Sequence, residues 1–310
     1  MSAHAIDDKR FLLDLREVVN LSKHNEVLKP YAHEIKQEIV AATLRAEFSD
    51  ILAKDYPPAA EAKIPKIIWW CWLQGENAAP DLVRQCLRSV KQNFPDYAIN
   101  VVDAANFLDY VSFPEAVLEK FRRGIITRIH FSDLIRVELL KKYGGLWFDA
   151  TLLFTGSRFV RALVSHSQFF CYQFFLPGVI SRQMDMWFLA SSRAHPLLCL
   201  LSDFHLAYWQ KYNLLLTYQL SAIFCTLLFR AHPEYLKTTP PIDVHNCFLL
   251  QRMLAKPMDA AYFDLVCQLT EVHKLTHKFF SADDVKAIMS HDDTFYAYLM
   301  SRENFALQTI

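Results

Sequence analysis

Apolar residues recur at helical spacing through the first part of the chain, from residue 6 to about residue 55. The pattern breaks near Lys29-Pro30, so it predicts a pair of helices. The stretch Asp55–Pro65 contains Tyr56-Pro57-Pro58 and predicts a linker. We therefore expect an N-terminal helical extension over residues 1–58, followed by one larger domain over residues 59–310.

Strand and helix patterns alternate after this linker. Strands are predicted at Ile67–Trp72, Tyr97–Val102 and Leu146–Leu153, and helices at Asp81–Asn93, Pro114–Phe121 and Thr127–Tyr143. Such alternation is typical of an α/β sheet, in which ligands bind beyond the carboxyl ends of strands. The loop that follows the first strand, Trp72–Gly75, is therefore a candidate binding loop.

The second half of the chain is predicted to be mostly helical. Helices are expected at Pro196–Lys211 and Leu214–Arg230, followed by a bend at Pro240-Pro241 and a polar tail. The apolar stretch within the second helix is shorter than the roughly 20 residues that span a bilayer, so it predicts a buried helix. The fold class expected is a mixed α/β sheet at about residues 60–240, flanked by helices and closed by a C-terminal helical cap.

Composition narrows the classes of function. Lys and Arg total 33 and Asp and Glu also total 33, which argues against nucleic acid as the main partner. The seven cysteines are scattered without a CxxC pair, so we expect reduced, buried thiols instead of disulfides or a zinc site. The N-terminal residues do not resemble a signal peptide. We expect a cytoplasmic protein, with peripheral attachment to the inner face of the membrane left open.

Three charged residues are candidates for chemistry. Asp133 and Arg136 are three apart on a predicted helix, and Ser132 shares their face, although a surface ion pair is the simpler explanation of that spacing alone. Asp149 lies within an apolar strand, whose alternation places Thr151 on the same face. A carboxylate there is costly to bury unless it is paired, hydrogen-bonded or bound to a metal. Asp149 could hold a divalent cation, or it could cap a turn at a strand end.

The strongest resemblance to a known family lies at residues 131–151, which read FSDLIRVELLKKYGGLWFDAT. They resemble the SDxxR…YGGxxxDxx core of the capsular polysaccharide synthesis proteins, which are similar to glycosyltransferase family 32 and, more distantly, to the large clostridial glucosylating toxins. Ile64–Trp72 resembles the family's opening IPKIIxxxW strand, and His273–Lys278 resembles its closing KLTxK. The resemblance implies a GT-A-type, Rossmann-like sheet.

The resemblance also implies roles for individual residues. Trp72 would lie against the nucleotide base, Asp133 and Arg136 would hold the donor sugar and its phosphates, and Asp149 would begin a DxD-type motif. Asp133, Arg136 and Asp149 are the expected catalytic residues. The full set expected to bind the donor is Trp72, Gln74, Gly75, Ser132, Asp133, Arg136, Gly145, Asp149, Thr151 and Lys274.

The motif leaves the metal question open. Where family 32 has DxD, this chain reads Asp149-Ala150-Thr151, as the capsular branch commonly does. The expected cofactor is Mn²⁺ or Mg²⁺, held by Asp149 and a second ligand for which His277 is the candidate. In the alternative, Lys274 or Lys278 would stabilise the pyrophosphate directly.

The resemblance implies transfer of a hexose from a UDP-sugar, or less readily a GDP-sugar, with retention of configuration. The acceptor would be a saccharide or a lipid-linked oligosaccharide of a capsule or another surface polysaccharide. Two alternatives are a non-catalytic scaffold subunit with the same fold and a nucleotide-sugar hydrolase. Asp185-Met186-Trp187 could line the acceptor side or simply begin a strand. The acidic pairs Asp283-Asp284 and Asp292-Asp293 are expected to be solvated helix starts.

Overall fold

A computed structural model describes residues 15–18, 20, 24–25, 27–59, 63–174, 183–278, 282–290 and 292–305. The strands are β1 (Ile67–Cys71), β2 (Ala98–Val102), β3 (Gly145–Asp149), β4 (Leu152–Phe154), β5 (Phe169–Gln173), β6 (Met184–Ser191) and β7 (Val272–Lys274). The helices are α1 (Ala32–Glu47), α2 (Ser49–Leu52), α3 (Asp81–Asn93), α4 (Phe107–Tyr110), α5 (Glu115–Arg122), α6 (Arg128–Tyr143), α7 (Arg158–His166), α8 (Pro196–Lys211), α9 (Leu220–Ala231), α10 (Pro233–Thr238), α11 (Leu249–Met253), α12 (Ala260–Leu269), α13 (Ala282–Ser290) and α14 (Phe295–Ser301).

The main sheet has five strands in the order β2-β1-β3-β6-β5. Strand β1 is parallel to both β2 and β3, whereas β6 is antiparallel to β3 and β5. This mixed sheet with flanking helices confirms the predicted fold class. Cys71 and Asp149 are register partners at the carboxyl ends of β1 and β3, so the Trp72 loop and Asp149 lie at the same edge of the sheet.

Apolar side chains cover both faces of the central strands. Trp69 and Trp147 belong to a core cluster that includes α6, α8, α9 and the N-terminal helix α1, and Ile68 and Phe148 belong to a cluster with α3 and α7 on the other face. The alternation of neighbouring residues between two cores is what a strand buried on both sides requires. Gln37 of α1 also donates a hydrogen bond to Thr217 Oγ1 at 2.9 Å. The boundary at residue 58 stays a prediction.

Two glycines connect α6 to β3. The helix ends at Tyr143 and is capped by Gly144, which has a φ of 69°, and β3 begins at Gly145, which has a φ of 101°. A Cβ on Gly145 would lie 2.5 Å from the carbonyl oxygen of Ile67, and one on Gly144 would lie 2.8 Å from the amide nitrogen of Arg193. Both positions therefore require glycine, for backbone conformation and for close packing. The turn folds α6 directly back along β3.

The predicted strand Leu146–Leu153 is wrong in its length. Strand β3 ends at Asp149, Ala150 and Thr151 form a turn, and β4 pairs antiparallel with β7, where Leu152 is the partner of Lys274. Thr151 is therefore not on the Asp149 face of one continuous strand. The apolar run 146–153 does not show where β3 ends and β4 begins. That division depends on the pairing of β4 with β7, which comes more than a hundred residues later in the chain.

The predicted helix Leu214–Arg230 begins late, at Leu220. The carbonyl oxygen of Leu214 accepts a hydrogen bond from Tyr208 at 2.8 Å, and Thr217 pairs with Gln37, so these residues are held in a loop by tertiary contacts. The helix that remains is buried, as predicted. No helix in the described ranges is long and apolar enough to cross a membrane.

Strands β5 and β7 were not predicted, because this half of the chain was expected to be mostly helical, and β6 was considered only as one of two explanations of Asp185. All eight residues of β6 are buried, so their sequence lacks the alternation that marks a half-exposed strand. The other predicted helices and strands of the α/β region agree with the structure to within one residue at each end, apart from those corrected above. Asp283 and Asp284 lie in the first turn of α13, as expected of a helix start. The part of the N-terminal helical pair before residue 15 lies outside the described residues.

All seven cysteines are free, and all are buried except Cys199, which is half-buried. Burial raises the pKa of the Cys71 thiol to about 12, although Arg136 nearby lowers it. Thiols with raised pKa values are poor nucleophiles at neutral pH. The predicted burial of the cysteines is confirmed for all of them except Cys199.

Candidate active site

A cavity of about 510 Å³ opens at the carboxyl ends of β1 and β3. Its lining contains most of the residues singled out from the sequence, which are Trp72, Gln74, Ser132, Asp133, Arg136, Asp149, Thr151, Lys274, His277 and Lys278. Gly75 and Gly145 are not part of the lining. Gly145 lies at the opposite, amino end of β3 and packs closely against β1, so its expected contact with the donor stays a prediction.

Arg136 lies between two carboxylates in a group that we call the Arg136 cluster, made of Asp133, Arg136 and Asp149. Its Nη2 is 3.0 Å from Asp133 Oδ1 and 2.9 Å from Asp149 Oδ1. Its Nη1 donates to the carbonyl oxygen of Met186, and its guanidinium lies 4.9 Å from the centre of the Trp147 ring. Charge-assisted hydrogen bonds of this kind are stronger than neutral ones and fix the geometry of the planar group. Arg136 is 4% exposed, so the cluster is a buried network.

Asp133 is held from both sides. Its Oδ1 faces Arg136, and its Oδ2 accepts a hydrogen bond of 2.8 Å from the hydroxyl of Ser221 on α9. Burial raises the pKa of Asp133, while Arg136, His130 and the Ser221 hydrogen bond act in the opposite direction. The explanation of Asp133 and Arg136 as a surface ion pair is therefore wrong, because both groups are buried.

Asp149 is the more accessible carboxylate of the Arg136 cluster, with 26% of its side chain exposed. Its Oδ1 also accepts a hydrogen bond from Trp147 Nε1 at 2.9 Å, and its Oδ2 is 3.5 Å from Lys274 Nζ. Lys274 Nζ in turn donates to the hydroxyl of Thr151 at 2.5 Å. A cation thus faces each oxygen of Asp149.

The residues at the expected metal site do not fit a metal held by the protein alone. Within the described ranges, no group of three or more His, Cys, Asp or Glu side chains could hold a metal ion. His277 packs edge-to-face on Trp72 with ring centres 5.3 Å apart, and burial, Lys278 and Lys274 lower its pKa. Asp149 is already paired with Arg136 and Lys274. The expected Mn²⁺ or Mg²⁺, with Asp149 and His277 as ligands, stays a prediction.

Aromatic side chains form much of the remaining wall. Trp72 and Trp187 line the cavity, and the Nε1 atom of each is buried without a hydrogen-bond partner among the described residues. Trp187 stacks on Tyr172 with ring centres 4.8 Å apart. Aromatic faces suit the bases of nucleotides and the apolar faces of sugars. The role expected for Trp72 against a base stays a prediction.

Sequence reasoning missed several lining residues, which are Arg128, Ile129, Tyr218, Ser221 and Phe248. Ser221 carried a usable signal, because a hydroxyl in a strongly apolar helix needs a partner when buried. Asp185-Met186-Trp187 was singled out, and all three residues line the cavity. Asp185 is the second residue of β6, which confirms the strand start, and its expected place on the acceptor side stays a prediction.

A stretch of 94 residues is 33% identical to the O-glycosyltransferase braB of Annulohypoxylon truncatum. This match covers 27% of the present chain and 22% of that protein, so it spans less than a quarter of the relative's length. Among solved structures, the chain is similar to one named PaToxG Glycosyltransferase, with a TM-score of 0.38 and 12% identity. That alignment covers 85% of this chain and 98% of the other.

A sequence profile described as "Capsular polysaccharide synthesis protein" matches residues 22–299. The match contains the whole cavity described above, together with the three sequence motifs. The predicted similarity to glycosyltransferase family 32 stays a prediction. Since the profile covers most of the chain, the protein belongs to the capsular polysaccharide synthesis protein family.

Proposed function

We propose that this protein is a glycosyltransferase, which transfers a hexose from a nucleotide sugar to a saccharide acceptor during synthesis of a capsule or a related surface polysaccharide. The observation that carries the proposal is the buried Arg136 cluster in a cavity at the carboxyl ends of two parallel strands. Ligands of open α/β sheets bind at this edge. Family membership and the relative named as an O-glycosyltransferase support the same reaction class.

Arg136, Asp149 and Trp72 have different parts in this proposal. Arg136 is almost fully buried and bonded to both carboxylates, so it orients Asp133 and Asp149 and does not need to touch the donor. Asp149, which is partly exposed, accepts hydrogen bonds from hydroxyl groups of the donor sugar. Trp72 offers an aromatic face to the base.

The transfer breaks the bond between C1 of the sugar and the oxygen of the diphosphate, and it forms a bond between C1 and the acceptor oxygen. The acceptor proton passes to the departing diphosphate, so no side chain needs to act as a base when configuration is retained. Catalysis then rests on holding both substrates in place and on stabilising the charge of the leaving group.

Thermal-shift measurements with UDP, GDP, CDP and dTDP, each with and without Mn²⁺, test the donor class. A ligand that binds only the native state raises the unfolding temperature by mass action. We expect a selective shift with UDP. The absence of a shift with all four nucleotides in both conditions would contradict the proposal.

Hydrolysis of the donor tests catalysis. Asp149→Asn keeps the size of the side chain but removes its charge, and we expect it to slow turnover of a UDP-sugar by at least about tenfold. The same change at Asp109, which is exposed on α4, serves as the control and should leave turnover unchanged. Binding without turnover would instead favour a scaffold subunit. A hydrolase would be favoured if the donor releases free sugar at the same rate with and without a saccharide acceptor.

The proposal extends to a lipid-linked acceptor and to attachment at the cytoplasmic face of the membrane. Co-sedimentation with vesicles that contain anionic lipid tests the attachment directly. If the protein does not bind these vesicles even at low ionic strength, the proposed membrane attachment is refuted, and a free saccharide becomes the expected acceptor.

A further inference from the structure

The turn that follows β3 combines one carboxylate, one hydroxyl and one ammonium group. Lys274 Nζ is 2.5 Å from Thr151 Oγ1 and 3.5 Å from Asp149 Oδ2. Its side chain is 18% exposed and lines the cavity, so the ammonium group faces the space where a donor would bind. The third position of the DxD-type motif is thus Thr151, a neutral residue whose hydroxyl accepts a hydrogen bond from Lys274.

The backbone fixes Lys274 at this place. Lys274 pairs with Leu152 in the β4–β7 ladder, and the amide of Leu275 donates to the carbonyl oxygen of Thr151 at 2.9 Å. His273, the residue before it, is fully buried and its Nε2 lies 2.9 Å from the hydroxyl of Thr155. Contacts on both sides therefore hold the strand, and the partly exposed lysine side chain lies in the lining of the cavity.

The charges around Asp149 favour binding of an anion over binding of a third cation. Asp149 already has Arg136 beside Oδ1 and Lys274 beside Oδ2. A divalent cation bound to Asp149 would lie within a few ångströms of two positive charges, in a site where burial weakens screening by water. A diphosphate at the same place would gain a charge-assisted hydrogen bond from the ammonium group.

We infer that Lys274 takes the place of a divalent cation, so that the ammonium group neutralises the diphosphate of the donor and the protein binds nucleoside diphosphates without metal. The inference rests on the proposed function. On binding, the ammonium group exchanges Thr151 and Asp149 for phosphate oxygens. Asp149 keeps Arg136 and Trp147 as partners and stays available to the sugar.

Calorimetric titration with UDP and UMP in the presence of EDTA tests the inference. If the thermal-shift panel selects another base, the diphosphate and monophosphate of that base are used. Lys274→Met keeps the length of the side chain and removes the charge. We expect it to weaken diphosphate binding by about 10- to 100-fold, and monophosphate binding by much less, as expected for loss of one charge-assisted hydrogen bond.

Two matched variants separate a direct contact from a general loss of charge. Lys278→Met removes a positive charge from the exposed rim of the same cavity, and Lys66→Met removes one at the opposite, amino end of β1. We expect a small effect from the first and none from the second. Lys274→Arg should recover most of the lost diphosphate affinity. Equal losses in the Lys274 and Lys278 variants would overturn the assignment to Lys274.

Thr151→Asp provides the reverse test. It places a second carboxylate beside Lys274 and creates a DxD sequence. We therefore expect the variant to bind UDP weakly in EDTA and more tightly when Mn²⁺ is added. The unaltered protein should bind UDP equally with EDTA and with Mn²⁺. Binding by the unaltered protein only when Mn²⁺ is present would overturn the inference and leave the proposed function intact. Failure to bind any nucleoside diphosphate in either condition would overturn both.

Discussion

Replacing Arg136 by methionine should destabilise the protein strongly and in a way that depends on pH. The change removes the partner of two carboxylates, 3.0 and 2.9 Å away, and the donor to the carbonyl oxygen of Met186. Removing one member of a buried ion pair costs about 3–5 kcal/mol, because the remaining charge is left unpaired. Asp133 bears most of this penalty, since its side chain is only 11% exposed, against 26% for Asp149.

The sign of the pH effect follows from Asp133. Burial already raises the pKa of this carboxyl above its unfolded value, and Arg136 opposes that rise. Without Arg136 the folded pKa rises further, so the folded state binds more protons than the unfolded state between the two pKa values. The stability of the variant should therefore be greatest below the unfolded pKa and should fall as pH rises towards the folded pKa.

Urea unfolding followed by circular dichroism, at pH 7.5 and near pH 4.5, measures both effects. The loss of unfolding free energy relative to the unaltered protein should be smaller at the lower pH. Arg122→Met makes the same change at an exposed surface ion pair and should leave the unfolding midpoint unchanged at both values. Adding Asp133→Asn to the Arg136 variant should recover part of the loss. A loss below about 1 kcal/mol, or one that is equal at both pH values, would refute this account of the cluster.

Two further variants test structural contacts that hold the Arg136 cluster in place. Gly145→Ala should cost about 2 kcal/mol or more of unfolding free energy, because it strains a positive φ and brings a Cβ to 2.5 Å from the Ile67 carbonyl oxygen. Gly124→Ala, with a φ of 74° but open space around its Cβ, is the matched control and should cost less in the same urea titration. Ser221→Ala should cost about 1–3 kcal/mol and raise the pKa of Asp133 further, and an unchanged midpoint would show that this hydrogen bond is not needed.

The centre of the site could be predicted because it is local in sequence. Arg136 and Asp149 are 13 residues apart, and the helix, the glycine pair and the strand that join them each leave a pattern that can be read directly. The spacing of Asp133 and Arg136 placed them on one face, and the apolar strand indicated that Asp149 needed a partner. What the spacing could not show was that this face is buried, because burial depends on α9.

The remaining contacts join residues that are far apart in the chain. Ser221 bonds to a residue 88 positions away, and Lys274 bonds to Thr151 over 123 positions. Such pairs follow from the packing of α9 and from the β4–β7 ladder, neither of which has a local sequence signature. The same cause explains the wrong strand length after Asp149, since only the partner strand β7 defines where β4 begins.

Gly145 has a structural role that the sequence motif alone does not show. It was expected to touch the donor, yet it lies at the far end of β3 from the cavity. Its function is geometric: α6 can return along the sheet within two residues only because Gly144 and Gly145 both adopt positive φ. That return brings Arg136 of the helix to within 2.9 Å of Asp149 at the end of the strand. The glycine pair and the buried ion pair are therefore parts of one structural unit, because the turn brings Arg136 and Asp149 close enough to form their ion pair.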